Sequence, residues 1–496
     1  MGRPFKKILI ANRGEIAVRV ARTCRVMGIP TVGVYSEADR HSPHIRATDE
    51  AVAIGPAESR ESYLDIGKLI EAARRTGADA IHPGYGFLSQ NGDFADRVAE
   101  EGITFIGPPG RVHREMGDKS GARRMMARAG VPVVPGYDGE VQEDRVLEAE
   151  AARIGYPLML KPARGGGGKG MRTVPGPESF LSSLEASRRE ATSSFGDDRM
   201  VLERLVSPAR HVEVQVMADG AGTVLHLFER ECSIQRRHQK VVEESPCAGL
   251  STAERKALCD AGVLAARTAG YVNAGTVEFL VDPEGHHYFL EMNTRLQVEH
   301  AVTELTTGLD LVRLQIDIAS GRGLAMSQEQ VQRQGHSVEC RLYAEDPFNH
   351  DLPSSGPILF VAPPEGPGVR FDSGIAAGCE VSVYYDPLLA KIVTWGATRD
   401  EAIARMRQAV RDTVVLGVTT NAPRLERILE SDRFARGELS TDFLLDPAMD
   451  PTPPVPPGLA FAVAAAALES APPNGAAGPK QGASDPWGSV GPWRNA

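Results

Sequence analysis

The chain has 496 residues, a formal net charge of −10, and apolar (42%) and charged (24%) fractions typical of a globular protein. That length suffices for two or three domains with a sizeable core, and the acidic balance argues against a nucleic-acid partner while leaving room for a local anion-binding groove. No run of about 18 apolar residues marks a membrane span. Six scattered cysteines without a CxxC pair argue against a disulfide frame or a zinc site and fit a cytoplasmic protein.

Residues 1 to about 115 alternate strands with helices. KILIA (Lys7–Ala11), TVGVY (Thr31–Tyr35), Ala51–Ile54 and Ala78–His82 read as strands, with helices over Glu15–Met27 and near Leu64–Thr76. This rhythm predicts a doubly wound parallel sheet, in which ligands sit at the carboxyl ends of strands. The loop after the fourth strand, HPGYGFLSQN, carries Tyr85 and is a candidate wall of the site.

Between about 133 and 205 the strand YPLMLK ends at Lys161 and runs into RGGGGKGM (164–171). Consecutive glycines weaken any helix or strand, but they expose backbone N–H groups to a phosphate chain. The run is neither a Walker A loop nor a GxGxxG before a helix, so it predicts a mobile phosphate-covering lid. The strand MVLERL (Met200–Leu205) follows, with Glu203 placed to meet a purine edge.

HVEVQVM (His211–Met217) alternates as a strand and pairs with Thr223–Glu229 across the DGAG turn. Arg230, Arg236, Arg237, His238 and Lys240 then crowd into one short stretch that suits phosphate or anion binding. Thr252–Ala269 reads as an amphipathic helix. GTVEFLV (Gly275–Val281) and YFLEMN (Tyr288–Asn293), separated by DPEGHH, read as a hairpin. Side chains at i and i+2 share a strand face. Glu291 and Asn293 therefore point the same way, with Glu278 beside them, a set of hard oxygen donors suited to Mg²⁺ or Mn²⁺. If the chain stays extended, Arg295, Gln297 and Glu299 line one side, where they can hold a small planar anion and take its proton. Val302–Ser320 reads as one helix. From His336 to about Asp446 the pattern becomes mixed α+β, with Arg341 on the strand SVECRLY and Glu345 as its alternative partner. Beyond Asp450 come the stiff PTPPVPPG, an Ala-rich apolar stretch (Leu459–Leu468) and a polar end with two tryptophans that reads as disordered.

In this order IANRGEIA, IHPGYGFLS, MGDKS, KPARGGGGKGM, RHVEVQV, ERECSIQRRHQKVVEE, GTVEFL, FLEMNTRLQVEH, ECRLYAEDP and YYDPLLAKIV resemble the biotin carboxylase component of biotin-dependent acyl-CoA carboxylases, over residues 1 to about 446. The resemblance implies an ATP-grasp fold with a biotin carboxylase N-terminal domain (1–115), an ATP-grasp domain (116–330, lid about 133–205) and a biotin carboxylase C-terminal domain (331–446). Residues 447–496 would be a Pro/Ala-rich linker and the start of a carboxyltransferase-docking region. It implies that Lys119 and Lys161 contact ATP phosphates under a lid of Gly165, Gly166, Gly167 and Gly168, and that Glu203, Leu205, His211, Gln235 and His238 hold the nucleoside. Glu278, Glu291 and Asn293 match the metal ligands, for two Mg²⁺ or Mn²⁺ ions. Lys240, Arg295, Gln297 and Val298 match a bicarbonate pocket, with Glu299 as base and Arg341 stabilising the biotin enolate.

The implied reaction is ATP-dependent carboxylation of biotin by bicarbonate. The implied partners are a biotin carboxyl carrier protein or domain, a carboxyltransferase β subunit and a second copy as homodimer, with no nucleic acid and no membrane. No Met-Lys pair occurs, so either a fuller protein was cut or the biotin is carried on a separate polypeptide. Three residues depart from the family pattern: Gln90 in place of Glu in GFLSEN, Ala301 in place of Pro after VEH, and Cys247 in place of a small apolar residue. Rival readings are an ATP-grasp carboxylate–amine ligase and a catalytically silent carboxylase scaffold.

Overall fold

The structure, a computed structural model, describes residues 4–163, 170–237 and 239–451. Gly165 to Gly168, His238 and everything beyond Pro451 lie outside the described residues, and with them the lid glycines and the Ala-rich stretch.

The N-terminal sheet has five parallel strands in the order Glu50–Gly55, Thr31–Ser36, Ile8–Ile10, Ala80–His82, Thr104–Phe105. Alternation along the first strand sends Ile8 and Ile10 into one apolar layer and Leu9 and Ala11 into another. Both faces are thus covered, as a parallel sheet requires. Chain order reverses between Ile8–Ile10 and Ala80–His82, which opens a crevice at their carboxyl ends. Asn12 ties that crevice together, since its Nδ2 donates to the carbonyls of Pro83 and Tyr85, each at 2.7 Å.

A four-stranded antiparallel sheet, in the order Gly136–Tyr137, Met200–Arg204, Leu158–Pro162, Arg172–Val174, packs under the helices Asp144–Ile154 and Phe180–Phe195. Leu147, Leu158, Leu160, Phe180 and Leu202 form its core.

The largest sheet has eight strands: His287–Asn293, Asn273–Val281, Arg210–Ala218, Val224–Arg236, Gln239–Ser245, His336–Tyr343, Leu388–Gly396, Val369–Ser373. Its last three strands come from beyond residue 331, so the mixed α+β region extends this sheet. Helix Thr252–Thr268 starts at Ser251, whose side chain and that of Glu254 cap each other's backbone N–H groups. The helix lies on the apolar face formed by Val212, Val214, Val216, Val277, Phe279 and Met292. Gly262 permits this contact, because a Cβ there would stand 2.8 Å from the Val214 side chain. Burying Phe279 completely contributes about 1.5–3 kcal/mol. The alternate residues of the same strands, among them Glu213, Gln215 and Glu278, face the other side and build the polar site.

Two sequence expectations change. Val302–Ser320 is not one helix. His300–Thr307 ends at Gly308, whose φ of +71° only glycine adopts readily, and Leu311–Ala319 restarts where the Asp310 side chain accepts the Arg313 N–H. The segment Arg295–Glu299 does not continue the strand either, since pairing stops at Asn293 and Val298–Glu299 form a turn. No helix of the described residues is long and apolar enough to cross a membrane.

Candidate active site

Four charged residues stand in one row across four strands: Glu291 opposite Glu278, Glu278 opposite Glu213, and Glu213 opposite Arg230. A β-bulge makes the row. Phe279 pairs with Phe289 but Glu278 pairs with Glu291, so Leu290 is the extra residue that re-aims Glu291.

Directly opposed carboxylates repel, and cations answer them here. Lys240 Nζ lies 2.6 Å from Glu213 Oε2, 2.9 Å from Glu278 Oε1 and 2.6 Å from Glu299 Oε1. Lys119 Nζ lies 3.1 Å from Glu291 Oε2. Arg230 is fully buried and donates to Glu213 (2.5 Å), Gln215 (2.7 Å), Thr303 (3.0 Å) and Thr276 (3.1 Å). Burial alone would lower the Lys240 ammonium, but the surrounding Cys232, Glu213, Glu278 and Glu299 hold it well above the usual lysine range.

Glu299 is buried beneath this cluster. Its Oε1 meets Lys240 and its Oε2 meets Arg341 Nη2 at 3.0 Å. Burial would raise its carboxyl, yet Lys240, Arg341 and Arg230 together keep it well below the usual range. Glu299 is therefore ionised at neutral pH, and its basicity rises when a cation turns to another anion. Arg341 also grips Glu243 through Nε at 2.6 Å and Nη2 at 2.5 Å. Glu345, its alternative partner in the sequence, instead meets Arg236 at 2.7 Å.

The non-strand arm still gathers its polar groups. Arg295 Nη1 donates to Gln297 Oε1 at 2.7 Å, and Gln297 Nε2 donates to Glu278 Oε1 at 3.3 Å. The Val298 carbonyl accepts from the fully buried Lys391 at 2.6 Å. Tyr85 donates its hydroxyl to Glu15. Burial and the Glu15 charge push that phenol well above its ordinary range, so it stays a neutral donor.

The nucleotide candidates fall into two groups. Lys161 pairs with Glu203, which also lies 3.5 Å from Arg123, and the Leu205 N–H donates to the Pro157 carbonyl at 3.1 Å. On the large sheet, Gln235 Nε2 lies 2.8 Å from His211 Nδ1, and His211 Nε2 lies 3.1 Å from Glu278 Oε2. Burial lowers the His211 imidazole, but the Glu278 carboxylate reverses this and leaves it raised.

The donor set fits a hard divalent cation. Glu278 would be raised by burial, but Lys240 and His211 hold it well below the carboxylate range, so it is ionised. Asn293 Nδ2 donates to Glu278 Oε1 at 2.9 Å, and its Oδ1 lies beside Arg295 Nη2 at 3.3 Å.

Sequence reading overlooked Glu213, Arg230 as a buried partner, and Glu243. HVEVQV did carry a signal for Glu213, because it stands two residues from His211 on a strand and so shares its face. Arg230 and Arg236 belonged to the expected anion-binding stretch, yet both are paired with carboxylates within the fold, Arg236 with Glu345 and Asp351.

Comparison with known proteins adds to this geometry. The family models "Biotin carboxylase, N-terminal domain", "Carbamoyl-phosphate synthase L chain, ATP binding domain" and "Biotin carboxylase C-terminal domain" match residues 4–112, 118–327 and 339–446. Biotin carboxylase 1 of Bacillus subtilis (strain 168) is 48% identical over 441 residues, 89% of this chain and 98% of that protein. The mitochondrial methylcrotonoyl-CoA carboxylase subunit alpha of Rattus norvegicus is 50% identical over 444 residues, 89% of this chain. The chain spans 62% of that relative's length. A biotin carboxylase–beta-gamma-ATP complex from Campylobacter jejuni superposes with a TM-score of 0.86 at 44% identity, covering 89% of this chain and 98% of the other. The biotin carboxylase domain dimer of Hydrogenobacter thermophilus 2-oxoglutarate carboxylase, in complex with MgADP, ADP and bicarbonate, gives 0.86 at 43% identity and covers 90% and 99%.

Proposed function

The chain belongs to the biotin carboxylase family, and on that premise we propose that it carboxylates biotin with bicarbonate at the expense of ATP, the first half-reaction of an acyl-CoA carboxylase. The observation that carries the reading is Glu299, ionised and held between Lys240 at 2.6 Å and Arg341 at 3.0 Å. Such a group can accept a proton once its cations are shared with substrate.

Bicarbonate is a poor electrophile. Attack of its oxygen on the γ-phosphorus of ATP breaks the bond to the β-phosphate bridge and yields ADP and carboxyphosphate. Glu299 is placed to take the bicarbonate proton, while Lys240 and Arg295 hold the anion and Gln297 with the Val298 backbone completes its pocket. Lys119 and Lys161 face the phosphates, with the Gly165–Gly168 run covering them. Glu203, Leu205, His211, Gln235 and His238 hold the nucleoside. Glu278, Glu291 and Asn293 would hold Mg²⁺ or Mn²⁺, which neutralises developing phosphate charge. Carboxyphosphate then releases carbon dioxide and phosphate. The released phosphate takes the proton of the biotin ureido N–H, Arg341 stabilises the oxyanion so formed, the nitrogen attacks the carbon dioxide, and Tyr85 walls the pocket.

We further propose the division into residues 1–115, 116–330 (lid about 133–205), 331–446 and 447–496. The proposed partners are a biotin carboxyl carrier, a carboxyltransferase β subunit and a second copy of the chain. All six cysteines are buried free thiols, which suits a reducing compartment such as the cytoplasm.

The test is ATP cleavage with and without bicarbonate and free biotin. Arg295→Ala and Glu299→Ala should abolish stimulation by bicarbonate and leave nucleotide affinity within about threefold, since binding and chemistry use different groups. ATP cleavage indifferent to bicarbonate would favour an amine ligase, and absence of ATP cleavage a catalytically silent scaffold. A biotinylated carrier should outpace free biotin, because docking supplies proximity.

A further inference from the structure

Arg295 differs from the other cations of the site in what faces it. Lys240 meets three carboxylates, Arg341 meets Glu243 and Glu299, and Lys119, Lys161 and Arg230 each meet one. Arg295 meets only neutral oxygens. Its Nε donates to Gln90 Oε1 at 2.5 Å and its Nη1 to Gln297 Oε1 at 2.7 Å and the Leu296 carbonyl at 3.2 Å, while Nη2 donates to Asn293 Oδ1 at 3.3 Å. Among the described residues, no carboxylate forms an ion pair with this guanidinium.

Three of those acceptors lie within two residues of Arg295 in sequence and move with it. Gln90 is the exception. It belongs to the loop after strand Ala80–His82, 205 positions away, and it links the arm to the crevice of the N-terminal sheet. A guanidinium only donates, so this bond turns the Gln90 carbonyl oxygen inward. The amide NH₂ is left without a partner among the described residues, beside an uncompensated positive charge. A glutamate here would place a full negative charge 2–3 Å from the guanidinium, about the spacing of a strong ion pair. It would also repel an arriving anion.

We propose that Gln90 is a positioning and specificity residue. It fixes the Arg295 guanidinium by a neutral bond, so that the whole positive charge faces the small oxyanion substrate, and its own NH₂ supplies a second donor to that anion. This rests on reading Arg295 as the bicarbonate-binding arginine.

The experiment compares steady-state ATP cleavage, titrated with bicarbonate and separately with ATP, for the wild-type chain, Gln90→Glu, Gln90→Ala and Arg295→Ala. Gln90 is exposed, so its variants should fold. Gln90→Glu should raise the KM for bicarbonate about two- to fivefold, the upper part of the range for one exposed charge pair, with the KM for ATP within about twofold. Gln90→Ala should lower kcat/KM for bicarbonate through lost positioning, without the full KM rise of the glutamate. A bicarbonate KM for Gln90→Glu within twofold of wild type overturns the proposal, as does an equal shift in both KM values. The underlying reading fails separately. If Arg295→Ala keeps its bicarbonate stimulation, Arg295 is not the anion site. If it loses that stimulation while Gln90→Glu is silent, only the role of Gln90 falls.

Discussion

Arg341 holds Glu243 in a bidentate grip, with Nε at 2.6 Å and Nη2 at 2.5 Å from the same carboxylate oxygen, Oε1. The second oxygen of Glu243 is buried without a hydrogen-bond partner, and Glu339, its cross-strand neighbour, has neither oxygen satisfied. Burial therefore pushes the Glu243 carboxyl up to about 7 despite Arg341, with Glu299 raising it and Lys240 lowering it.

A pH prediction follows from that value. As pH falls through about 7, Glu243 takes a proton and its hold on Arg341 weakens, so biotin carboxylation should show an acid limb near there. Glu243→Gln should flatten this limb within the range of pH 6 to 8, read from kcat/KM for biotin. An unchanged limb would assign it elsewhere. Stability has the opposite sign. The folded chain binds this proton more tightly than the unfolded one, whose value is 4.5, so the contribution of Glu243 is present below 4.5 and is lost as pH rises to about 7.

Arg230 gives a stability prediction. Its guanidinium is completely buried and directs its bonds to Glu213, Gln215, Thr276 and Thr303. Arg230→Met removes one partner and leaves Glu213 buried with Lys240 alone. Urea unfolding should register a loss of about 3–5 kcal/mol, the usual cost of breaking a buried pair from one side. A loss below about 1 kcal/mol would mean that Lys240 compensates fully.

These two residues also mark where sequence reasoning stopped. Strand alternation places Glu278 with its neighbours on the face opposite Val277 and Phe279, and Pro-Gly in DPEGHH marks the turn between the strands. Local periodicity carries that information. It does not reveal that Leu290 bulges, that Glu213 stands opposite Arg230, or that Glu243 and not Glu345 faces Arg341. The first two turn on β-bulges that shift the register inside a hairpin, and the third on the pairing of strands 98 positions apart; the alternation of one strand encodes neither. The break at Gly308 was legible in principle, since glycine followed by Asp310 is a helix stop and a new cap. The doubly wound N-terminal sheet was the easiest part, because its central strand Ile8–Ile10 is wholly apolar and strands alternate with helices along the chain.

The glycine run gives a third prediction, independent of the sheet register. Gly167→Val with Gly168→Val should block close backbone approach to a phosphate chain. ATP affinity should fall at least about tenfold, with the thermal midpoint within about 2 °C if the run serves the nucleotide alone. Isothermal titration with a non-hydrolysable ATP analogue measures the first quantity and a thermal scan the second. Unchanged nucleotide affinity would reduce the run to a linker.

The last prediction concerns Glu291, which the Leu290 bulge sets opposite Glu278 and whose Oε2 lies 3.1 Å from Lys119 Nζ. Two roles are compatible with that place: salt-bridge partner of Lys119, or ligand of a divalent ion next to Glu278 and Asn293. Glu291→Gln separates them. Glutamine keeps the size and one oxygen but loses the charge that a hard cation requires. Its side chain is about a third exposed, so the ion pair with Lys119 contributes at most about 1 kcal/mol, and the variant should unfold at nearly the wild-type urea concentration. If Glu291 holds a metal ion, ATP turnover should fall by about two orders of magnitude or more, and the Mg²⁺ or Mn²⁺ concentration for half-maximal turnover should rise. If Glu291 only steadies Lys119, the half-maximal metal concentration should stay put while the KM for ATP rises. The metal titration therefore decides, and a normal metal dependence in Glu291→Gln would remove Glu291 from the ligand set.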